Sequence, residues 1–81
     1  MNRELVLHNL VEGHDALSRM LEEARKDTGW GIAELSVEMC HLYHHINTAW
    51  NARASTNAVG EASDADFLQW SAFPSDLPLF E

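Results

Sequence analysis

The chain has little cysteine and little positive charge. Its single thiol, Cys40, cannot form a disulfide within the chain and cannot supply a paired-cysteine zinc motif. This predicts a protein of the reducing cytoplasm. Five Lys and Arg residues stand against 13 Asp and Glu residues, which gives a net charge of -8. Because such a chain is repelled by phosphate backbones and anionic lipid headgroups, we expect neither a nucleic acid nor a membrane as a partner.

Long hydrophobic runs and catalytic motifs are also missing. No apolar stretch approaches the roughly 18 residues that a membrane-spanning helix requires, and the first residues lack the apolar segment of a signal peptide. Cys40 and the serines lie in no motif that lowers a pKa or forms an oxyanion hole. We therefore expect a soluble protein with no catalytic residues that the sequence can identify.

The clearest pattern that is present is an apolar repeat with alternating spacings of three and four residues. It runs through Ile32, Leu35, Met39, Leu42, Ile46 and Ala49. This spacing predicts a helix over about 32–54 with one packing seam. A second repeat predicts a helix over about 3–26 that begins after Asn2. Its seam residues are Val6, Leu10, Gly13, Leu17, Met20 and Ala24.

The short glycine-containing connection between these helices predicts an antiparallel hairpin in an all-α fold. The apolar side of the second helix is wider than one partner helix can cover, and a chain of 81 residues is marginal as a monomer. We therefore expect the hairpin, residues 1–60, to pair with a second copy as a dimeric four-helix bundle. Residues 61–81 form an acidic aromatic segment whose short helix, about 64–72, is expected to begin after Ser63 and to pack on the hairpin within a single domain.

A polar stripe beside the second seam is the only pattern that suggests metal chemistry. His41 and His45 are four residues apart, so they share a helix face and suit one divalent transition metal ion. Glu38 lies on the same stripe, and Glu12 of the first helix is level with His45. These four residues are the candidate metal ligands, and a solvated polar face is the alternative. We expect no other cofactor.

Two further features concern burial. His14 lies among leucines next to Gly13, which predicts a partly buried imidazole bonded to Tyr43 or His44. Three aromatic residues of the C-terminal segment stand three apart: Phe67, Trp70 and Phe73. This strip either covers the hairpin or binds a basic partner protein, and we favour the first.

These patterns favour a small non-enzymatic interaction or regulatory protein that acts through helix faces or through its acidic aromatic tail. The alternative is a metal-binding protein or a small metalloenzyme that uses the Glu and His stripe. No motif identifies the biological process or a partner other than a second copy of the chain.

Overall fold

Two long helices and a short third helix account for most of the chain. The computed structural model describes residues 1–78, and its helices are α1 (Arg3–Lys26), α2 (Ile32–Asn51) and α3 (Asp64–Ser71). The described residues contain no strand, so the predicted all-α class and helical hairpin are confirmed. The last three residues of the predicted C-terminal segment, 79–81, lie outside the described residues.

Local hydrogen bonds set the helix ends. The Asn2 side chain accepts a hydrogen bond from the Leu5 backbone N–H at 3.1 Å and so caps α1 as predicted. The predicted end of the second helix at residue 54 is wrong by three residues. The Arg53 N–H bonds to the Trp50 carbonyl in a tighter turn, and the Arg53 carbonyl accepts from the Asn2 N–H at 2.6 Å. Because this contact ties the chain after α2 to the start of α1, the helix cannot continue.

The core lies between α1 and α2. Ala16, Met20 and Leu42 are buried together, and the half-buried Trp30, Leu35 and Met39 pack against them. Closer to the open end of the hairpin the contact is made by small residues, Gly13 on α1 and Ala49 on α2. Small side chains at these positions let the two helix backbones approach each other closely.

The buried face of α1 differs from the predicted seam. The buried residues are Leu5, Asn9, Gly13, Ala16 and Met20. Leu10 and Leu17, which were expected in the seam, are about half exposed. The reason is that α1 turns Gly13 and Ala16 toward α2 and leaves Leu10, Leu17 and Leu21 at the edge of the contact. Asn9 is tolerated in the contact because its Nδ2 donates to the Leu5 carbonyl of the same helix.

The packing around Gly13 leads to a first prediction. A Cβ atom added at Gly13 would lie 3.6 Å from the His45 Cβ and 3.7 Å from the Ile46 Cγ1, which is ordinary van der Waals contact. Gly13→Ala should therefore raise the free energy of unfolding by about 0.5–1 kcal/mol, because alanine favours the helix over the unfolded chain. Urea denaturation measures this. Gly13→Leu is the contrasting variant and should destabilise the protein; if Gly13→Ala did so too, the helices would be closer together than described.

The third helix packs on the side of α2 that faces away from α1. Asn47 Nδ2 donates to the Ser71 carbonyl at 3.0 Å, and Asn51 Nδ2 donates to the carbonyls of Trp70 and Ala72 at 2.7 Å each. The α2 helix thus contacts both other helices and is the centre of the molecule. Ser63 caps α3 by accepting from the Asp66 N–H, as the sequence predicts.

Candidate functional site

A cleft of about 310 Å³ opens on one side of the hairpin, and we call it the histidine cleft. Imidazoles from both long helices and two aromatic rings from α3 dominate its wall. These residues are His8, His41, His44, His45, Phe67 and Trp70. Four of the chain's five histidines therefore converge on one site.

Two ring contacts organise the histidine cleft. The ring centroids of His41 and His45 are 5.1 Å apart, and the planes are inclined by 37°. Their spacing of four residues places them one above the other on α2. The His44 ring meets the Phe67 ring edge-on with a centroid distance of 5.3 Å. The cleft thus combines a histidine pair on α2 with an aromatic contact that joins α2 to α3.

The environment of His45 favours its neutral form. Burial lowers the pKa of His45 below its usual 6.5, and the neighbouring His41, His44 and His8 lower it further, while Glu12 acts in the opposite direction. Because the folded state resists protonation of His45, the contribution of His45 to stability is fully present above the unfolded-state pKa near 6.5. This contribution is lost as the pH falls below that value. At neutral pH the ring keeps a free nitrogen lone pair.

The four predicted metal ligands do not lie in one place. His41 and His45 are together, and Glu12 lies close enough to act on the pKa of His45. Glu38 instead lies against Glu23 of α1. Within residues 1–78, no group of three His, Cys, Asp or Glu side chains is already arranged to hold a metal ion. The metal site of the sequence analysis remains a prediction.

The Glu23–Glu38 contact gives a pH-dependent prediction. The neighbouring Glu38 carboxyl, as a hydrogen-bonding partner and as a like charge, raises the pKa of the exposed Glu23 above 4.5, so stability is lost as the pH rises through the folded-state pKa. Glu38→Gln should therefore melt at a higher temperature than the parent at pH 7, and the difference should shrink below pH 4.5. Thermal melts across this range test it, with Glu23→Gln as the reciprocal variant. A lower melting temperature of Glu38→Gln at pH 7 would contradict the repulsion.

Two other side chains that the sequence analysis considered, His14 and Cys40, are exposed to solvent. His14 is exposed, and its Nδ1 lies 3.4 Å from Asp15 Oδ1, so the predicted buried bond to Tyr43 or His44 is wrong. The cause is the orientation of α1, which places His14 away from α2. Cys40 is an exposed free thiol whose Sγ lies 3.8 Å from His44 Nε2.

The aromatic strip of the C-terminal segment lies on α2 and remains partly open to solvent. Phe67 contacts His44, and the Phe73 ring meets the Tyr43 ring at a centroid distance of 6.5 Å. Their side chains are nevertheless 50% and 62% exposed, respectively. Beyond the strip, Asp76 accepts hydrogen bonds from Trp50 Nε1 and from Arg53, and these bonds lower the pKa of Asp76. The segment is therefore attached to α2 at both ends of the strip.

On the side opposite the histidine cleft, the hairpin presents large hydrophobic side chains. We call this surface the apolar face. Each of its residues is 44–47% exposed. It consists of Leu10, Leu17, Leu21, Tyr43 and Ile46. Ile46 marks the edge of the contact with Gly13, and the leucines lie on the flank of α1 opposite His8 and Glu12. Both helices therefore contribute to one unpartnered surface.

Charge is distributed unevenly around the two long helices. At about 100° of rotation per residue, every carboxylate of α1 and α2 falls on the flank that carries the histidine cleft. These carboxylates are Glu4, Glu12, Asp15, Glu22, Glu23, Glu34 and Glu38. The apolar flank carries Arg3, His14 and Arg25 instead. In a chain with net charge -8, the apolar face thus carries no acidic side chain from α1 or α2.

Sequence reasoning did not identify three residues that shape these surfaces. His8 was not linked to the other histidines, because its position depends on which face α1 turns toward α2. Asn47 and Asn51 hold α3, and their four-residue spacing on the far side of α2 was the available signal. Two asparagines on the outer side of a helix can equally be exposed to solvent, so the spacing alone did not predict their contact with α3.

The function of the chain is inferred from its geometry, because the comparisons with known proteins gave no match. No protein-family model, curated protein or solved structure matches the chain. In the described residues, every helix is too short or too polar to cross a membrane.

Proposed function

We propose that this chain is a small non-enzymatic interaction protein whose working unit is a homodimer formed through the apolar face. The observation that supports this is the set of large hydrophobic side chains that α1 and α2 leave half exposed on one flank. Surfaces of this kind on small proteins mark interaction sites. The occupant that we propose is the same face of a second copy, which completes a four-helix bundle.

Electrostatics favour a second copy as the occupant. Two chains of net charge -8 repel each other over most of their surfaces. The apolar face is the flank where that repulsion is weakest, because no carboxylate of α1 or α2 lies on it. Self-association is therefore least opposed here.

The other candidate surface is the aromatic tail, and its attachment makes it the weaker candidate. Three side-chain amide hydrogen bonds from Asn47 and Asn51 hold α3, and Trp50 and Arg53 hold Asp76. A recognition segment that folds only on binding lacks such contacts before it meets its partner. Phe73 lies beside Tyr43, so it can extend the apolar face instead of acting separately.

Light scattering coupled to size exclusion tests the dimer. We expect about twice the chain mass of 9.1 kDa at micromolar concentrations, with dissociation on dilution. A folded protein that stays at the mass of one chain up to millimolar concentration would refute the proposal. A mass well above that of two chains would contradict the closed two-fold arrangement.

A further inference from the structure

Beyond dimerisation, we propose that the histidine cleft binds one divalent transition metal ion per chain. His41 and His45 form the chelating pair on α2, and Glu12 supplies a third ligand from α1. Glu38, which the sequence places on the same stripe, lies against Glu23 of α1 and is not assigned as a ligand. The bound ion would join the two long helices on the flank opposite the apolar face.

The separation of the two histidines fits a shared metal ion. In a tetrahedral site with metal–nitrogen bonds of about 2.0 Å, the centroids of two coordinated imidazoles lie about 5.2 Å apart. The observed distance between the His41 and His45 centroids is 5.1 Å. The separation of the two rings thus matches the one expected for two imidazoles that share an ion.

The surroundings supply the charge states that ligation requires. A metal ligand imidazole must be neutral, and an imidazole with the ordinary pKa of about 6.5 is largely neutral at pH 7. Among the carboxylates, Glu12 of α1 is the one whose charge acts on His45, and that charge would offset part of the charge of a dication. Glu12 is exposed, so its side chain can rotate toward the pair without unpacking the core. Water fills the remaining position.

The donor set also selects the class of metal. Two imidazoles and one carboxylate suit zinc, nickel, copper or cobalt, whereas magnesium and calcium prefer all-oxygen sites. Cys40 lies next to His44 on the neighbouring strip of α2, so a thiolate-containing site is the arrangement that a test must distinguish from this one.

The test uses full-length protein without a histidine tag, freed of metal by a chelator. Zinc titration by calorimetry should give one ion per chain, and saturating zinc should raise the melting temperature by about 5 °C or more, with no change in magnesium. His45→Ala and His41→Ala should each weaken zinc binding about 100-fold, and Glu12→Gln about tenfold. Circular dichroism confirms that each variant is folded.

The chain offers two matched controls. His14→Ala removes the one histidine outside the cleft, and His8→Ala removes a cleft histidine that is not a proposed ligand. His14→Ala should bind zinc within about threefold of the parent, and His8→Ala should lose less affinity than Glu12→Gln. Equal losses for His14→Ala and His45→Ala would show nonspecific surface binding and overturn the proposal. A loss for His8→Ala larger than that for Glu12→Gln would overturn the assignment of Glu12.

Cobalt(II) provides a spectroscopic check on the ligands. The proposed set contains no sulfur, so the cobalt complex should lack the intense near-ultraviolet band of a thiolate ligand. Such a band, abolished by Cys40→Ser, would place the ion at Cys40 and His44 and overturn the His41–His45 site. Zinc binding should also weaken as the pH falls below about 6, because protons compete for the imidazoles.

Discussion

Leu42→Asp is expected to unfold the protein. Leu42 is 8% exposed and packs with Ala16 and Met20 at the centre of the α1–α2 contact. An aspartate there loses the apolar contacts and buries a carboxylate without a partner, at a cost of several kcal/mol. A chain of this size has a total stability of about 5 kcal/mol, so little folded protein should remain. Far-ultraviolet circular dichroism and urea denaturation measure the loss.

Val37→Asp is the control for that variant. Val37 lies on the same helix but is 70% exposed, so the same charge should change the free energy of unfolding by no more than about 0.5 kcal/mol. If Leu42→Asp kept a cooperative melt within about 1 kcal/mol of the parent, the described core would be wrong.

Leu17→Asp should dissociate the proposed dimer and leave the monomer folded. Leu17 is about half exposed within a single chain, so its replacement does little to the hairpin itself. In the proposed bundle it faces the other copy, and its replacement would place two carboxylates in an apolar interface. A cost of about 3 kcal/mol corresponds to a rise in the dimer Kd of at least about 100-fold. Sedimentation velocity over a concentration series measures this Kd.

The matched control is Leu68→Asp, because Leu68 is an exposed leucine of α3 that lies outside the apolar face. Its Kd should stay within about threefold of the parent. Equal dissociation by both variants would show that net charge, and not the apolar face, controls association. An unchanged Kd for Leu17→Asp would exclude this face as the interface.

The helices themselves could be predicted from local chemistry. The three-four spacing on α2, the Asn2 and Ser63 caps, and the glycines after α1 act within a few residues, so the sequence is sufficient to locate them. The buried face of α1 could not be read in the same way. Its apolar stripe includes Gly13 and Ala16, which contact α2, and also Leu10 and Leu17, which are half exposed. The periodic pattern does not show which side of the stripe faces α2.

The histidine cleft shows the same division between local and non-local signals. The His41–His45 pair is a property of one helix, so its four-residue spacing was sufficient to predict that the rings share a face. The contribution of His8 depends on the rotation of α1, and that of Phe67 depends on where the segment after α2 returns. The separation of Glu38 from the pair has the same origin, because Glu23 is its neighbour only after the hairpin forms.

Methyl contacts between two copies of the chain test the proposed interface most directly. Mixing carbon-13-labelled and unlabelled chains allows an isotope-filtered NOE experiment that detects contacts between chains only. The apolar-face dimer predicts intermolecular NOEs among the methyl groups of Leu10, Leu17, Leu21 and Ile46. Intermolecular NOEs confined to Val37 and Leu68, with none from the apolar face, would contradict it.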